Sequence, residues 1–251
     1  MSRYSALHNY RPLLVPVGLL TESVRCDTSK QVRLFIYLKA VSDGLITKEH
    51  TRIVASDFNI SEKTLKRHIG WLMVNNWIGA DSDNYYLRSW ARIDSYINFK
   101  SGAGVYLDKF SYVTDQEMYL AWATGATIAQ AIRWQKRVKY HRERNKGRSV
   151  PRWAYHAVSN SLLAKILDCS LRRAIDLKRL AKERKFIESK AKFELVDIKG
   201  DAVAYQIIKA KRQDAGCDLV IRNKKVFKQL VSEITPLIHV KRKRTKRAPL
   251  L

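Results

Sequence analysis

A pattern of polar and apolar residues occurs twice in this chain, at an offset of 109 residues and without a gap. The first copy covers residues 51–78 and the second covers 160–187. The offset pairs residues of the same kind: Ala55 with Ala164, Phe58 with Leu167, Ser61 with Ser170, Trp77 with Phe186 and Ile78 with Ile187. The match predicts that one small structural unit is built twice, the alternative being two unrelated helical hairpins.

Each copy predicts two short helices joined by a tight turn. Ser61 and Ser170 are suited to accept a hydrogen bond from a free backbone N–H at the start of the second helix. Asn59 and Asp168, just before them, are residue types typical of turns. Apolar residues at spacings of three and four predict the core-facing side of the second helices, namely Leu65, Ile69, Leu72 and Met73 in the first copy and Leu171, Ala174, Ile175 and Leu180 in the second.

Short strands are predicted on both sides of each helix pair. Residues 77–78 and 85–87, around the polar turn 81–84, indicate a hairpin after the first copy. After the second copy we predict strands at 186–187, 193–196 and 203–208, with a turn at 197–201. A short strand followed by a helix is also expected ahead of each copy, at 13–17 with 30–42 and at 104–107 with 116–137.

The charge of the chain is strongly positive, because 48 lysines and arginines face 23 acidic residues, which gives +25. The excess is uneven, since residues 1–100 hold 14 basic and 9 acidic groups and the remainder holds 34 and 14. Such a balance favours a polyanionic partner: DNA, RNA or an anionic membrane surface. The second half of the chain is therefore the expected phosphate-binding part.

Cysteine content and hydropathy indicate a soluble intracellular protein without a membrane segment. Three widely separated cysteines argue against a disulfide framework and against a zinc site. No signal peptide and no apolar run of membrane-spanning length is evident. We expect a cytoplasmic, nucleoid-associated protein, or a nuclear one in a eukaryotic cell.

The predicted organisation is two tandem units with terminal extensions. Pro12 and Pro16 oppose a helix near the N-terminus, and six cations in 241–247 predict a disordered tail. The predicted segments are an arm or leading strand at 1–28, a first unit at 29–95, a linker at 96–105, a second unit at 106–215 with a basic insertion at 139–152, a C-terminal extension at 216–240 with mixed strand and helix over 220–240, and the basic tail at 241–251.

Taken together, the helix pairs and following strands resemble the winged-helix superfamily. The doubled arrangement resembles plasmid and phage replication initiators with tandem winged-helix domains, over roughly residues 13–210 and at the level of pattern. The resemblance implies an α+β, mainly helical fold with small β-wings. It also implies that the second helix of a unit enters the DNA major groove, and that one copy supports dimerisation while the other reads DNA.

On that resemblance, the DNA-binding residues are the polar positions of the second helices and the neighbouring basic clusters. Asp81 and Asp83 in the first wing would repel phosphates, so the first unit could equally pair with another protomer or protein. The aromatic residues Tyr140, Trp153 and Tyr155 are expected to pack the second core, with stacking on unpaired bases as the alternative. The predicted contact residues are Arg172, Arg173, Asp176, Arg179 and Lys182 in the second unit; Glu62, Lys63, Lys66 and Arg67 in the first; Lys190 and Lys192 in the second wing; Arg142, Arg144, Lys146 and Arg148 in the insertion; and Lys241, Arg242, Lys243 and Arg244 in the tail.

No catalytic pattern is convincing. His141 and Arg144 match a fragment of the tyrosine-recombinase pattern without its wider context, and the spacing of Asp81 and Asp83 suits a turn better than a metal. We therefore expect a sequence-specific, double-stranded DNA-binding protein without cofactor or metal, acting in replication initiation or transcription regulation of a plasmid or phage. One alternative is a basic RNA-binding or virion-packaged protein without base-specific contacts, and another is a DNA-processing enzyme with an unrecognised site.

Overall fold

The chain has an α+β fold that is mainly helical. The computed structural model describes residues 13–42, 44–97, 102–146, 157–196, 219–222 and 225–242. The helices are α1 Val17–Arg25, α2 Ser29–Val41, α3 Thr51–Asp57, α4 Glu62–Val74, α5 Trp90–Ile97, α6 Ser111–Thr114, α7 Gln116–Asn145, α8 Asn160–Leu167 and α9 Leu171–Glu183. The strands are β1 Leu13–Pro16, β2 Leu45–Thr47, β3 Ile78–Ala80, β4 Asn84–Leu87, β5 Ala103–Leu107, β6 Ile187–Val196, β7 Leu219–Arg222, β8 Lys225–Pro236 and β9 Lys241–Arg242.

The first unit consists of α2, β2, a 3₁₀ turn at Lys48–His50, α3, α4, β3 and β4. The predicted hairpin is confirmed, because β3 and β4 pair antiparallel, and β2 adds to the other edge of β4. Phe35 of α2 meets the ring of Trp77 edge-on at 5.2 Å, and Trp71 meets Trp77 at 5.7 Å. Aromatic pairs of this geometry add to the free energy of apolar burial, so the rings fix α4 and its hairpin against α2.

A helix was not expected near the N-terminus, yet α1 begins directly after Pro16. Pro16 lies at the N-cap with φ −62° and ψ 128°, where a missing N–H breaks no helical hydrogen bond. The helix is then held against α7, since Ser23 Oγ and the Tyr119 hydroxyl lie 2.7 Å apart and Thr21 Oγ1 and Thr127 Oγ1 lie 2.9 Å apart. The prediction that proline excludes a helix here was wrong, because that argument applies only to helix interiors.

The two predicted leading strands are confirmed, and they pair with each other. Strands β1 and β5 run antiparallel, with Leu13 opposite Leu107. Strand β9 adds to the other edge of β5, with Lys241 opposite Gly104. Two expectations are thereby corrected: the end of the proposed linker is part of a strand, and the first two residues of the proposed disordered tail are ordered by backbone pairing with β5.

Helix α7 is the longest element and connects both units. Asp115 caps its start, accepting a hydrogen bond from the Met118 N–H at 2.7 Å. Residues 121–129 are buried without interruption, so no polar stripe divides this part of the helix. The helix then continues to Asn145, where a basic loop was predicted from about residue 139. Nothing in the sequence stops it earlier, because the first glycine or proline after Gly125 is Gly147.

The second unit places α8 and α9 beside a sheet in the order β6, β8, β7. Strand β6 runs from Ile187 to Val196 and pairs antiparallel with β8, with an irregularity between Lys190 and Lys192. The mixed strand and helix predicted for 220–240 is therefore wrong, since residues 219–222 and 225–236 are strands. The predicted turn at 197–201 and strand at 203–208 lie outside the described residues.

Two clusters of buried apolar side chains underlie these units. The larger contains the first unit, α1 and the first half of α7, together with Phe186; the smaller joins α7 to α8, α9, Ile187 and Ile234. Phe186 reaches the larger cluster because Gly125 leaves room for it on α7, and its ring lies 5.1 Å from that of Tyr112. Phe186, three residues past the end of α9, thus ties the second unit to the larger cluster.

Candidate nucleic-acid interface

Helix α9 follows α8 through a turn whose geometry the sequence explains. Asp168 ends α8 in the left-handed conformation, with φ 49°, which aspartate tolerates better than most residues. Ser170 then caps α9, accepting a hydrogen bond from the Arg173 N–H at 3.2 Å. This is the cap that the sequence predicts, and it fixes where α9 begins.

Helix α4 has the same entry and the same exit. Ser61 Oγ accepts from the Thr64 N–H at 3.2 Å, and Asn59 has φ 49°. Both helices span 13 residues, Glu62–Val74 and Leu171–Glu183, so the offset of 109 holds at both ends. Asn76 and Lys185, just past the two ends, share φ 59°. The repeat is thus reproduced in backbone geometry.

Two backbone hydrogen bonds, one before and one after each second helix, recur in both copies. In each copy the backbone N–H of the residue before the cap donates to the carbonyl of an alanine in the preceding helix. Ile60 donates to Ala55 and Cys169 donates to Ala164, both at 3.0 Å. At the exit, Trp77 N–H donates to Leu72 O at 2.8 Å and Phe186 N–H donates to Ala181 O at 2.9 Å. The backbone therefore enters and leaves α4 and α9 through equivalent hydrogen bonds.

One face of α9 packs on the second core. Its fully buried positions are Ala174, Leu177 and Ala181, spaced by three and four. Lys178 lies beside them and reaches back to the start of α8, donating to the Val158 carbonyl at 2.8 Å and to Asn160 Oδ1 at 3.1 Å. Burial lowers the pKa of its ammonium group. Lys178 therefore serves as a structural link between α8 and α9.

The opposite face of α9 is exposed and carries most of the predicted contact residues. Arg172, Arg173 and Lys182 are exposed, and no ion pair between described residues involves them. Arg179 is engaged by carboxylates, with Nη2 at 3.1 Å from Asp176 Oδ1 and Nε at 3.8 Å from a Glu183 oxygen. The cations that are free to meet a phosphate or a base edge thus lie at the two ends of this face.

The exposed face of α4 is more uniformly cationic. Lys63, Lys66 and Arg67 are all exposed in its first two turns. In the repeat, Lys63 is equivalent to Arg172 and both are cations. Arg67 is equivalent to Asp176, where α9 has an acid. His68, on the buried side, has a lowered pKa, first because of desolvation and then because of Arg67 and other nearby cations. Its side chain therefore favours the neutral form, and the charge of α4 lies on its outer face.

Three apolar residues predicted to face a core are exposed instead. Leu171 and Ile175 on α9 are 53% and 43% exposed, and Met73 on α4 is 39% exposed. Leu180 is partly buried. The prediction treated every apolar residue near the repeat spacing as core-facing, but Ala174, Leu177 and Ala181 alone complete the buried stripe of α9.

The carboxylate of Asp81 organises the turn of the β3–β4 hairpin. It accepts hydrogen bonds from the backbone N–H groups of Asp83 and Asn84, at 2.9 and 2.7 Å, and from the Tyr86 hydroxyl. These bonds, the Tyr86 one first, lower the pKa of Asp81 to about 2. Lys48 Nζ donates to the carbonyls of Asp81 and Ser82 at 2.6 and 2.8 Å. A cation therefore lies beside the two aspartates of this turn.

The remaining predicted contacts are distributed over three further elements. Arg142, Arg144 and Lys146 are exposed at the C-terminal end of α7 and just after it, on a helix rather than the expected flexible loop. Lys190 is exposed on β6, and Lys241 in β9 lies with Nζ 4.4 Å from the Tyr106 ring centre. Lys192 and Arg242 belong to β6 and β9, but their side chains lie outside the described part, as do Arg148, Lys243 and Arg244 entirely.

The second half of α7 holds functional candidates that the sequence interpretation missed. Exposed cations continue upstream of Arg142 along the helix, and Tyr140, predicted to pack in the core, is 52% exposed. The sequence signal was the absence of glycine and proline after Gly125 up to Lys146. One continuous helix therefore carries all of these charges. The added residues are Arg133, Lys136, Arg137 and Lys139.

Two kinds of site are not found among the described residues, a metal-holding cluster and a membrane-spanning helix. No group of three or more histidine, cysteine, aspartate or glutamate side chains among those residues is placed to hold a metal ion. None of the described helices combines the length and apolar character needed to cross a membrane. Comparison of the chain with models of protein families, with curated proteins and with solved structures finds no significant match.

Proposed function

We propose that this protein binds double-stranded DNA sequence-specifically through two winged-helix units, with α4 and α9 as the recognition helices. The observation that carries the proposal is the matched pair of helices. Each follows a serine-capped turn, each packs one face on a core, and each turns exposed cations outward. Phosphates attract such a face, and the major groove of DNA admits a helix.

The order of elements supports a winged-helix assignment for the first unit. A helix, a strand, two helices and two strands follow one another as α2, β2, α3, α4, β3 and β4, with β4 in the middle of the small sheet. In the second unit α7, α8, α9 and β6 follow one another, with no counterpart of β2 among the described residues, and β8 pairs with β6 as β4 pairs with β3. In this fold the second helix of the motif docks in the major groove.

The base-reading residues are those near the start of each helix, where side chains meet base edges. Arg172 and Arg173 occupy the first turn of α9, and Lys63 occupies the first turn of α4. An arginine pairs with guanine through two hydrogen bonds, which gives sequence choice. The cations at the end of α7 contact phosphates and add affinity without sequence choice.

The cellular role that we propose is replication initiation or transcription regulation of a plasmid or phage. Both roles require a protein that recognises a defined duplex site. The two reading helices would suit a site with two parts, because α4 and α9 expose different side chains at matched positions.

A binding assay with matched variants tests the proposal. Arg172→Ala and Arg173→Ala are each expected to weaken a selected duplex site about 10- to 100-fold, whereas Lys109→Ala, an exposed charge before α6, serves as the control. Wild-type protein should leave a defined footprint in the presence of competitor DNA. Uniform, strongly salt-sensitive binding without a footprint would instead favour a basic RNA-binding or virion-packaged protein.

A second role for the first unit is favoured by the C-terminal end of α4. Met73 and Val74 are 39% and 82% exposed, which leaves a small apolar surface beyond the cationic turns. We propose that this end forms a homodimer contact. Sedimentation analysis should show a dimer that Val74→Glu dissociates and that Val138→Glu, at an exposed position on α7, leaves intact. A monomeric wild type removes this role and leaves DNA binding unaffected.

A further inference from the structure

Two aliphatic side chains of α9 are exposed and belong to neither of the two buried apolar clusters. Leu171 and Ile175 are 53% and 43% exposed, one helical turn apart, while the buried stripe of α9 is complete without them. At the matched positions α4 has Glu62 and Lys66. The helix-turn-helix geometry is therefore maintained with charged residues at these two positions, and the apolar pair is particular to α9.

The surroundings of this pair indicate what covers it. Arg172 and Arg173 lie between Leu171 and Ile175 in the chain, and Lys182 lies on the same side of the helix farther along. A protein surface that matched this mixture would need acidic groups within an apolar patch. The DNA major groove offers both features together, because phosphates line it and the C5-methyl group of thymine is its apolar feature.

We propose that Leu171 and Ile175 contact thymine methyl groups, so that α9 selects a duplex sequence in which thymine lies next to the base read by Arg172. This inference rests on the proposed function and names the chemistry of the site that α9 reads. Helix α4, with charged residues at both matched positions, is not expected to distinguish thymine by its methyl group.

Replacement of thymine by uracil isolates this contact, because it removes the methyl group and leaves every hydrogen-bonding group of the base in place. Wild-type protein is first used to select a duplex site from a random library. Each thymine in that site is then replaced by deoxyuridine. Burial of one methyl group is worth about 0.8 kcal/mol, so affinity should fall about fourfold at each contacted thymine.

Variants decide which helix is responsible. The double variant Leu171→Ala/Ile175→Ala should bind the thymine and uracil duplexes equally well. Lys109→Ala, at the exposed control position before α6, should keep both the wild-type affinity and the wild-type preference for thymine. Because Leu171 and Ile175 are exposed and alanine favours helix, both proteins should keep the wild-type melting temperature. The double variant should also keep its affinity for uracil DNA, which shows that it is folded.

The outcomes separate this inference from the proposed function. Selective binding to a duplex with no preference for thymine over uracil, or a selected site without thymine, overturns the methyl contact and leaves DNA recognition in place. The same holds if the double variant keeps the thymine preference. Failure to select any duplex sequence overturns both the proposed function and the methyl contact. Self-association that the double variant abolishes would assign the pair to a protein interface and refute the contact.

Discussion

Replacement of Gly125 by alanine should destabilise the protein, because this glycine lets the second unit pack on α7. A Cβ at residue 125 would lie 2.7 Å from Phe186 Cβ and 2.8 Å from Ile238 Cδ1. The Ile238 atom ends a flexible side chain, but Phe186 Cβ cannot move without moving the backbone that follows α9. The substitution therefore forces α9 and α7 apart.

The magnitude follows from two opposing contributions. Overpacking of a core costs about 1–3 kcal/mol, and a contact with a Cβ places Gly125→Ala in the upper part of that range. Alanine gains about 1 kcal/mol over glycine within a helix, which leaves a net loss of about 1–2 kcal/mol. Gly70→Ala on α4 is the matched control, since nothing lies within 4 Å of a Cβ there. It should stabilise the protein by up to about 1 kcal/mol.

Thermal denaturation followed by circular dichroism measures the difference. For a chain of this size each kcal/mol corresponds to roughly 2–4 °C, so Gly125→Ala should lower the melting temperature by roughly 2–8 °C and Gly70→Ala should raise it slightly. If Gly125→Ala melts at or above the wild-type temperature, Phe186 does not pack against α7 as described. Equal destabilisation by both variants would show that the loss at Gly125 does not come from the contact with Phe186.

Three further results are expected. Ser61→Ala and Ser170→Ala should each cost about 1 kcal/mol of unfolding free energy, with Asp at either position restoring it, and a loss at only one would contradict the matched caps. Because the pKa of Asp81 is lowered in the folded state to about 2, its stabilising effect is complete above about pH 4 and is lost towards pH 2. The melting temperature of Asp81→Asn should therefore fall less over that interval than that of the wild type. Replacing both Arg142 and Arg144 by alanine should reduce the salt dependence of DNA binding by a slope of about 2 without changing the selected sequence.

The repeat could be predicted from sequence because its determinants are local. A serine cap, a turn residue that accepts positive φ and a bulky pair after the second helix each act within a few residues. These signals placed Ser61 and Ser170 correctly, and the structure begins α4 and α9 directly after them. The second helices could therefore be located before any tertiary contact was known.

The other elements depend on contacts between distant residues, which local patterns do not encode. Strand β8 is a strand because it pairs with β6, and β9 is ordered because β5 offers it an open edge. Leu171 and Ile175 were expected in the core because periodicity alone does not show which side of an apolar stripe is buried. For α7, the expected loop was inferred from charge, whereas a run without glycine or proline allowed the helix to continue.

Selection from a random duplex library by three proteins tests most directly whether α4 and α9 are both reading helices. The proteins are the wild type, Lys63→Ala/Lys66→Ala in α4, and Arg172→Ala/Arg173→Ala in α9. The wild type should select a site with two conserved parts, and each double variant should lose selection of one part and keep the other. If both variants select the wild-type sequence with unchanged affinity, the two helices do not read DNA.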